Sequence, residues 1–138
     1  MNEAQKIMRI SELALKCFSE NFESYGKIMH FPKNYCEEAS SILLLFLRND
    51  GIDQFELIKG TDLLNNHHFW LQSHDYIIDL TAHQFEGIEF PYIFLKRTDY
   101  PLTNKFVVQK KVSIDDNWQY LKNLTHRIKK IFYEKYYA

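Results

Sequence analysis

Glycine, proline and cysteine are all scarce in this chain, which holds 4 Gly, 3 Pro and 2 Cys among 138 residues. Because so few breakers are present, each of them marks a boundary between elements clearly. No internal repeat, low-complexity tract or linker divides the sequence. With 46% hydrophobic and 16% aromatic residues, the composition suits a single domain over residues 1–138, which buries roughly two thirds of the unfolded chain's surface.

Net charge is also small, since 17 Lys and Arg oppose 18 Asp and Glu and leave a formal charge of −1. That balance offers no bulk electrostatic attraction to nucleic acid or to a membrane surface. The longest apolar run, at 42–47, is far shorter than the ~20 residues that a membrane span needs. We therefore expect no nucleic-acid partner and no membrane association.

The two cysteines, Cys17 and Cys36, are too few for a disulfide scaffold. We expect both to be reduced thiols in a cytoplasmic protein. The first residues lack a basic stretch followed by an apolar one, which argues against a secretory signal. Cys17 lies inside the apolar stripe of a predicted helix, so we interpret it as a core residue. Cys36 is then the candidate for a reactive thiol.

Breakers and hydrophobic periodicity predict the element order helix, helix, strands, helix. Helices are predicted at about 3–22, 34–48 and 113–136, and strands at 54–59, 67–72, 76–81, 91–96 and 105–112. The second helix is apolar all round over 42–47, so we expect it to be central and covered on several sides. This order predicts an α+β fold in which an antiparallel sheet packs on a central helix, with further helices at both ends of the chain.

Cys36 lies at the start of that second predicted helix. Asn34, followed three residues later by Glu37, resembles a capping box, which would put Cys36 at the second helical position. Free N–H groups and the helix dipole stabilise a thiolate there, whereas Glu37 and Glu38 oppose it. On position alone, Cys36 is equally consistent with a nucleophile and with a small residue that begins a core helix.

The hairpin around residues 73–76 carries the other candidate groups. If its connection is two or four residues long, Trp70 lies opposite Asp79. His68 and Asp79 then project from the same face as diagonal neighbours, close enough for an imidazole–carboxylate hydrogen bond. A three-residue loop would instead put His67 on the face of Asp79. Because even-length connections are commoner in tight hairpins, we favour His68.

The same register predicts one apolar face for the hairpin, formed by Phe69, Leu71, Ile78 and Leu80. An aspartate within the apolar stretch 76–80 needs a partner if it is buried, and His68 can supply one. The simpler alternative is a half-buried hairpin whose polar residues face solvent.

A family resemblance follows from these residues. His68-Phe69-Trp70-Leu71, followed by Asp79-Leu80-Thr81, resembles the H-x-W…D-x-T signature of transglutaminase-like proteins, which have the papain-like cysteine-protease fold. The stretch 78–85, Ile-Asp-Leu-Thr-Ala-His-Gln-Phe, also resembles the "IDxTxxQF" ending of small stand-alone bacterial members. The resemblance covers about residues 35–85. Two positions depart from the pattern: Asn34-Tyr35 precede the cysteine where many members have Gly, and Gln72 replaces a frequent Glu.

The resemblance implies a papain-like fold, with a cysteine at the start of the central helix and the histidine and aspartate in the sheet. It implies Cys36 as nucleophile, His68 as base and Asp79 as the residue that orients the base. In such chemistry the thiolate attacks an acyl carbon and forms a thioester. Peptidases, deamidases, transglutaminases and acyltransferases share these steps. The expected substrate is a protein or peptide acyl or amide group, and no cofactor is expected.

Three further residues are candidates for substrate contact: Trp70, Gln84 and Asn34. Trp70 either lines the cleft or is a core aromatic residue, and Gln84 either contacts substrate or caps the strand end. The backbone N–H of Cys36 is one candidate oxyanion donor, and the side chain of His30 or Asn34 is another.

Two alternatives from other functional classes stay open. One is a metal site built from Cys36, His68, Asp79 and another histidine, although no CxxC or HExxH spacing supports it. The other is a catalytically inactive interaction module, which the aromatic C-terminal stretch 132–137 could serve.

Overall fold

A computed structural model describes residues 1–25 and 31–138, without the side chains of Ser24 and Tyr25. Within them, three α-helices and a five-stranded antiparallel sheet form an α+β fold. The helices are α1 (Glu3–Asn21), α2 (Cys36–Asn49) and α3 (Gln119–Ile131), which a π-helical turn (Phe132–Tyr136) extends. The strands are β1 (Glu56–Thr61), β2 (His67–Gln72), β3 (Tyr76–Asp79), β4 (Tyr92–Lys96) and β5 (Val108–Val112).

α1 begins at a capping box and packs through its predicted apolar stripe. Asn2 Oδ1 accepts from the Gln5 N–H at 2.8 Å, and Gln5 Oε1 accepts from the Asn2 N–H at 3.0 Å. The buried residues of the stripe are Ile7, Ile10, Ala14, Cys17 and Phe18. Leu13, also expected in the stripe, is only partly buried. The interpretation of Cys17 as a core residue is confirmed.

α2 is the central helix, and its apolar residues at 42–47 are buried except for Leu45. The predicted cap at Asn34 is wrong. The N-cap is Tyr35, which has no side-chain cap, and Asn34 has a φ of 64° in the turn before it. Asparagine tolerates this left-handed conformation better than most residues, so it serves the turn rather than the helix. Cys36 is consequently the first helical residue rather than the second.

The strands follow the order β4-β3-β2-β1-β5. β2 has its predicted limits, whereas the predicted β5 begins three residues too early. The residues before β5 form a turn instead, since the N–H of Phe106 donates to the carbonyl of Leu102 at 2.9 Å. β3 also ends at Asp79, two residues earlier than predicted.

The hairpin of β2 and β3 has the predicted even register, with Leu71 opposite Ile78 and Gln72 opposite Ile77. One face of the sheet, here called the helix face, packs its apolar residues into the same cluster as α1, α2 and α3. These residues are Leu57, Phe69, Leu71, Ile78 and Leu80. The expected apolar face of the hairpin is therefore the helix face.

The opposite face, here called the loop face, is covered by the connections around β4 rather than by helices. Ile58, Trp70 and Ile77 of the sheet pack there against a second set of buried residues. Those residues are Ala82, Tyr100, Leu102 and Phe106. His68 belongs to this face because it alternates with Phe69 along β2.

The last helix begins six residues later than predicted, at Gln119. Asp115, which was expected in its first turn, instead accepts the N–H of Asn117 at 2.9 Å in a turn before the helix. Short acidic side chains favour such local turns. None of the helices in the described part of the chain is long and apolar enough to cross a membrane.

Candidate active site

Several chain segments meet at one end of the sheet. β1 ends at Thr61, which pairs with His67 at the start of β2, and β3 ends at Asp79. The turn that leads into α2 reaches the same end, because the N–H of Asn34 donates to Gln84 Oε1 at 3.4 Å. Gln84 belongs to a 3₁₀ turn that closely follows β3. This contact brings Cys36, the first residue of α2, to the end of the sheet at which His68 and Asp79 lie.

His68 and Asp79 form the predicted pair. His68 Nε2 lies 2.7 Å from Asp79 Oδ2, and both side chains are 0% exposed. Because an ionised carboxylate only accepts hydrogen bonds, Nε2 carries the shared proton. The other ring nitrogen, Nδ1, is buried and has no hydrogen-bond partner among the described residues.

The thiol of Cys36 is close enough to the His68 ring to affect its pKa. Burial lowers the pKa of His68, but the charge of Asp79 and its hydrogen bond raise it, and an interaction with Cys36 raises it further, to about 9. Since Nε2 is bound to Asp79, Nδ1 is the nitrogen left to take the thiol proton. Cys36 itself is partly exposed.

Asp79 has further donors that fix its position. Tyr100 Oη donates to the same Oδ2 at 2.6 Å, and the backbone N–H of Thr81 donates to Oδ1 at 3.1 Å. Burial and the charge of Asp79 hold the pKa of Tyr100 well above its usual value, so its hydroxyl stays a donor. The sequence analysis missed Tyr100, because it lies 21 residues beyond Asp79 and no motif connects the two.

Aromatic rings enclose the imidazole. The centroid of the His68 ring lies 4.8 Å from that of Phe85, which is perpendicular to it, 5.4 Å from that of Phe106 and 5.8 Å from that of Trp70. Trp70 is 0% exposed and also packs against Tyr100. Trp70 therefore supports the histidine from inside the protein, and the structure gives it no surface that a substrate could touch.

Gly60 makes room for this aromatic packing. It lies opposite His68 in the register of β1 and β2. A Cβ atom at Gly60 would lie 2.5 Å from the Trp70 ring and 2.7 Å from Phe106 Cβ. Both distances are too short for real contacts, so the site requires glycine at this strand position.

The two acidic residues after Cys36 have different surroundings. Glu38 is buried, and burial together with the charge of Glu38 raises the pKa of Tyr120, the second residue of α3. Glu37 is only partly buried and borders a groove of about 490 Å³ together with Lys59. The sequence predicted that the negative charges of Glu37 and Glu38 disfavour a thiolate at Cys36. Of these two carboxylates, that of Glu37 is partly exposed, and that of Glu38 is buried near α3.

The remaining candidates have separate outcomes. Asn34 lies at the site through its backbone, while its side chain belongs to an exposed residue. Gln84 Oε1 accepts from the Asn34 N–H, and the two expected roles of Gln84, a substrate contact and a strand cap, stay predictions. His30 lies outside the described residues. Among residues 1–25 and 31–138, no group of three His, Cys, Asp or Glu side chains could hold a metal ion.

No family model, no curated protein and no solved structure matches this chain. The functional interpretation therefore depends on the geometry at the sheet end. That geometry is a partly exposed thiol at a helix start, a buried imidazole beside it, and a buried carboxylate on the far side of the imidazole.

Proposed function

We propose that this protein is a cysteine-dependent enzyme that acts on a protein or peptide acyl or amide group through a thioester. The supporting observation is the arrangement of Cys36, His68 and Asp79: Asp79 binds one ring nitrogen of the histidine, and Cys36 is close enough to raise the pKa of the ring. We also propose the papain-like fold and the transglutaminase-like family for the chain. Its central helix with an initial cysteine and its sheet with the histidine and aspartate agree with that assignment.

A purely structural role explains this arrangement less well. Burying an ionisable pair costs desolvation energy that mutual attraction only partly repays, so an apolar pair would stabilise the core as well or better. A buried Nδ1 without a hydrogen-bond partner among the described residues adds to that cost. Buried charged pairs with a perturbed histidine, beside a reachable thiol, are typical of active sites.

The proposed reaction begins from the ion pair in which the Cys36 thiol has already given its proton to His68 Nδ1, as the raised pKa of His68 favours. The thiolate then attacks the acyl carbon, and the leaving group departs with the proton from His68. Asp79 holds the ring orientation and stabilises the imidazolium. Water would resolve the thioester in a peptidase or deamidase, and an amine or other acceptor would resolve it in a transferase. A cytoplasmic location suits the free thiol.

Thiol alkylation against pH tests the proposal most directly. With iodoacetamide, and mass spectrometry to locate the label, we expect Cys36 to react faster than Cys17. Cys17 is an internal control, because burial first and the charge of Glu20 second raise the pKa of its thiol to about 12. Unreactive Cys36 in the folded protein would contradict the proposal.

Two histidine variants complete this experiment. His68→Ala should remove the advantage of Cys36, because no imidazole is left to accept the proton. His67→Ala is the matched control, since His67 is exposed and its ring bonds Thr61 at 3.0 Å rather than the site. Equal losses in both variants would mean that the reactivity of Cys36 does not depend on the proposed base.

A second candidate function is a non-enzymatic interaction module. Five exposed large apolar side chains lie on segments that flank the site end of the sheet: Leu63, Leu64, Phe90, Val107 and Val108. Exposed apolar residues that group together are typical of interaction surfaces. A partner that binds wild type and Cys36→Ala equally, and that Leu63→Ser with Leu64→Ser releases, would favour this function.

The aromatic C-terminal stretch 132–137 gives less support to an interaction module than its sequence suggested. Phe132 stacks on Phe46 with 4.0 Å between ring centroids. Tyr133 accepts from the side-chain amide of Asn49 at 3.0 Å, and the Tyr137 hydroxyl donates to Asp50 at 2.6 Å. Much of the stretch 132–137 is therefore engaged within the fold.

A further inference from the structure

A groove lies between α2 and α3, and none of the three candidate catalytic residues lines it. Two adjoining cavities form it, with volumes of about 540 Å³ and about 360 Å³. The residues that both cavities share are Leu45, Arg48, Thr125 and Lys129. Along α3 and the turn that extends it, the groove reaches from Leu121 to Tyr133, which is about 18 Å at the helical rise of 1.5 Å per residue.

The floor of the groove is apolar. Leu45 is the one exposed residue of the apolar run 42–47, with 36% of its surface exposed, and it lies where the two cavities meet. Ile114 and Leu121 continue the floor in the larger cavity, and Phe46 and Tyr133 continue it in the smaller one. Together these side chains form a continuous apolar strip, which the apolar face of another helix could cover.

The rim of the groove is cationic. Lys122, His126 and Lys129 follow one another at spacings of four and three residues, so they share one face of α3. Arg48 lies across the groove from them, in the last turn of α2. All four side chains are exposed, and none has an ion pair within the described part of the chain. The rim therefore offers several cations to a ligand that carries negative charge.

Negative charge is confined to one end of the groove. Asp115 and Asp116, just before α3, line the larger cavity and not the smaller one, whereas Arg48 and Lys129 line both. The Asp115 carboxylate is also engaged by the N–H of Asn117 at 2.9 Å. Because the whole chain has a formal charge of only −1, an attraction for anions here is a local property of the groove.

We propose that this groove docks an acidic amphipathic helix of a partner protein. Its apolar side chains would cover Leu45, and its carboxylates would pair with Arg48 and Lys129. The exposed rim leaves the groove open along its length, which suits an elongated segment of about three helical turns better than an enclosed small molecule. This inference does not depend on the proposed thiol chemistry.

Fluorescence anisotropy with a designed peptide tests the proposal. The probe is a fluorescein-labelled amphipathic helix of about 14 residues, with leucines on one face and glutamates along both edges of that face. A comparison peptide carries glutamine in place of each glutamate. We expect saturable binding of the Glu peptide, about tenfold weaker binding of the Gln peptide, and a loss of that difference at high salt.

Charge-reversal variants locate the binding site. Arg48→Glu and Lys129→Glu should each weaken binding of the Glu peptide about tenfold, because an attraction becomes a repulsion. Lys130→Glu is the matched control, since Lys130 is also exposed but lines neither cavity.

A truncation on the floor tests the apolar contact. Leu45→Ala should weaken binding about tenfold, as is typical of an apolar anchor at the centre of an interface. Leu63→Ala is its control, since Leu63 is 92% exposed and lies after β1, outside the groove. Circular dichroism of each variant checks that the compared proteins are folded.

Three results would overturn the inference: no saturable binding of the Glu peptide, equal affinity for the Glu and Gln peptides, or equal effects of Lys129→Glu and Lys130→Glu. Cys36→Ala should bind the Glu peptide as the wild type does. An unreactive Cys36 in a protein that binds the peptide would mean that the proposed function alone fails.

Discussion

The helix face and the loop face of the sheet are both buried, but by different means. On the helix face, apolar side chains such as Leu71 and Ile78 pack against α2 and its neighbours. On the loop face, His68 and Asp79 are 0% exposed among aromatic rings, under connections that contain only short helical turns. A sheet can thus place apolar packing and a charged pair only one residue apart along the same strand.

This difference shows which interactions fix each face. Apolar burial at roughly 25 cal/mol per Å² holds the helix face, and it tolerates exchange between similar side chains. The loop face depends on hydrogen bonds to the Asp79 carboxylate and on Gly60, whose lack of a side chain leaves room for the Trp70 ring. We therefore expect substitutions on the two faces to separate stability from reactivity.

The largest expected effect comes from exchanging the two cysteines for alanine. Cys36→Ala should reduce acylation of the protein by about 10⁴-fold or more, since the nucleophile is lost. Cys17→Ala should leave acylation unchanged and lower the free energy of unfolding by about 1 kcal/mol, because it opens a small cavity in the helix-face core. Ester assays and urea denaturation measure the two effects. Equal activity of the two variants would contradict the proposal that Cys36 is the nucleophile.

A smaller effect is expected at Gly60. Gly60→Ala should lower the free energy of unfolding by about 1–3 kcal/mol, the usual cost of overpacking, because the new methyl group overlaps Trp70. It should also slow alkylation of Cys36, since a displaced Trp70 moves the neighbouring His68 ring. Urea denaturation and thiol labelling measure both. Full reactivity with reduced stability would show that the ring packing does not position the base.

The third expected effect is a pH dependence of stability that His68 on the loop face confers. The pKa of His68 is raised from 6.5 to about 9, so the protonated ring favours the folded state. Its contribution should be complete below pH 6.5 and should be lost as pH rises through about 9. Urea denaturation across this window, compared with His68→Gln, isolates the contribution. A constant difference between the two proteins would contradict it.

Tyr100→Phe sharpens the same measurement. Its hydroxyl shares Asp79 Oδ2 with the imidazole. Without that hydroxyl, the carboxylate acts on His68 alone, so the pKa of His68 should rise further and the upper end of the window should move to higher pH. Tyr92→Phe is the control, since the Tyr92 ring touches Tyr100 edge to face and its hydroxyl makes no described hydrogen bond to Asp79, while its backbone pairing with Asp79 is kept.

Local patterns predicted the parts of the site that depend on local geometry. Period-two alternation and turn length were enough to pair His68 with Asp79, because the two residues lie on adjacent strands of one hairpin. The stripe of α1 followed from helical spacing in the same way. The fold class followed from the order of such elements.

Contacts between distant segments could not be predicted in this way. Tyr100 reaches Asp79 from a connection after β4, and Gln84 reaches Asn34 across 50 residues. Asn34 shows how a local rule can fail: its short amide suits both a helix cap and a left-handed turn, and tertiary contacts decided between them. The start of α3 was misplaced for a similar reason, since Asp115 suits both a first turn and the turn before it.

The distance along the chain between the members of the site has a consequence for folding. His68 and Asp79 are 11 residues apart, so a single hairpin can bring them together early. The turn before Cys36 contacts its partner across 50 residues, and such loops close at a greater entropic cost. We therefore expect the thiol to gain its base only when α2 docks on the sheet. A newly made or partly folded chain would then carry an inert cysteine and would acquire reactivity together with its native topology.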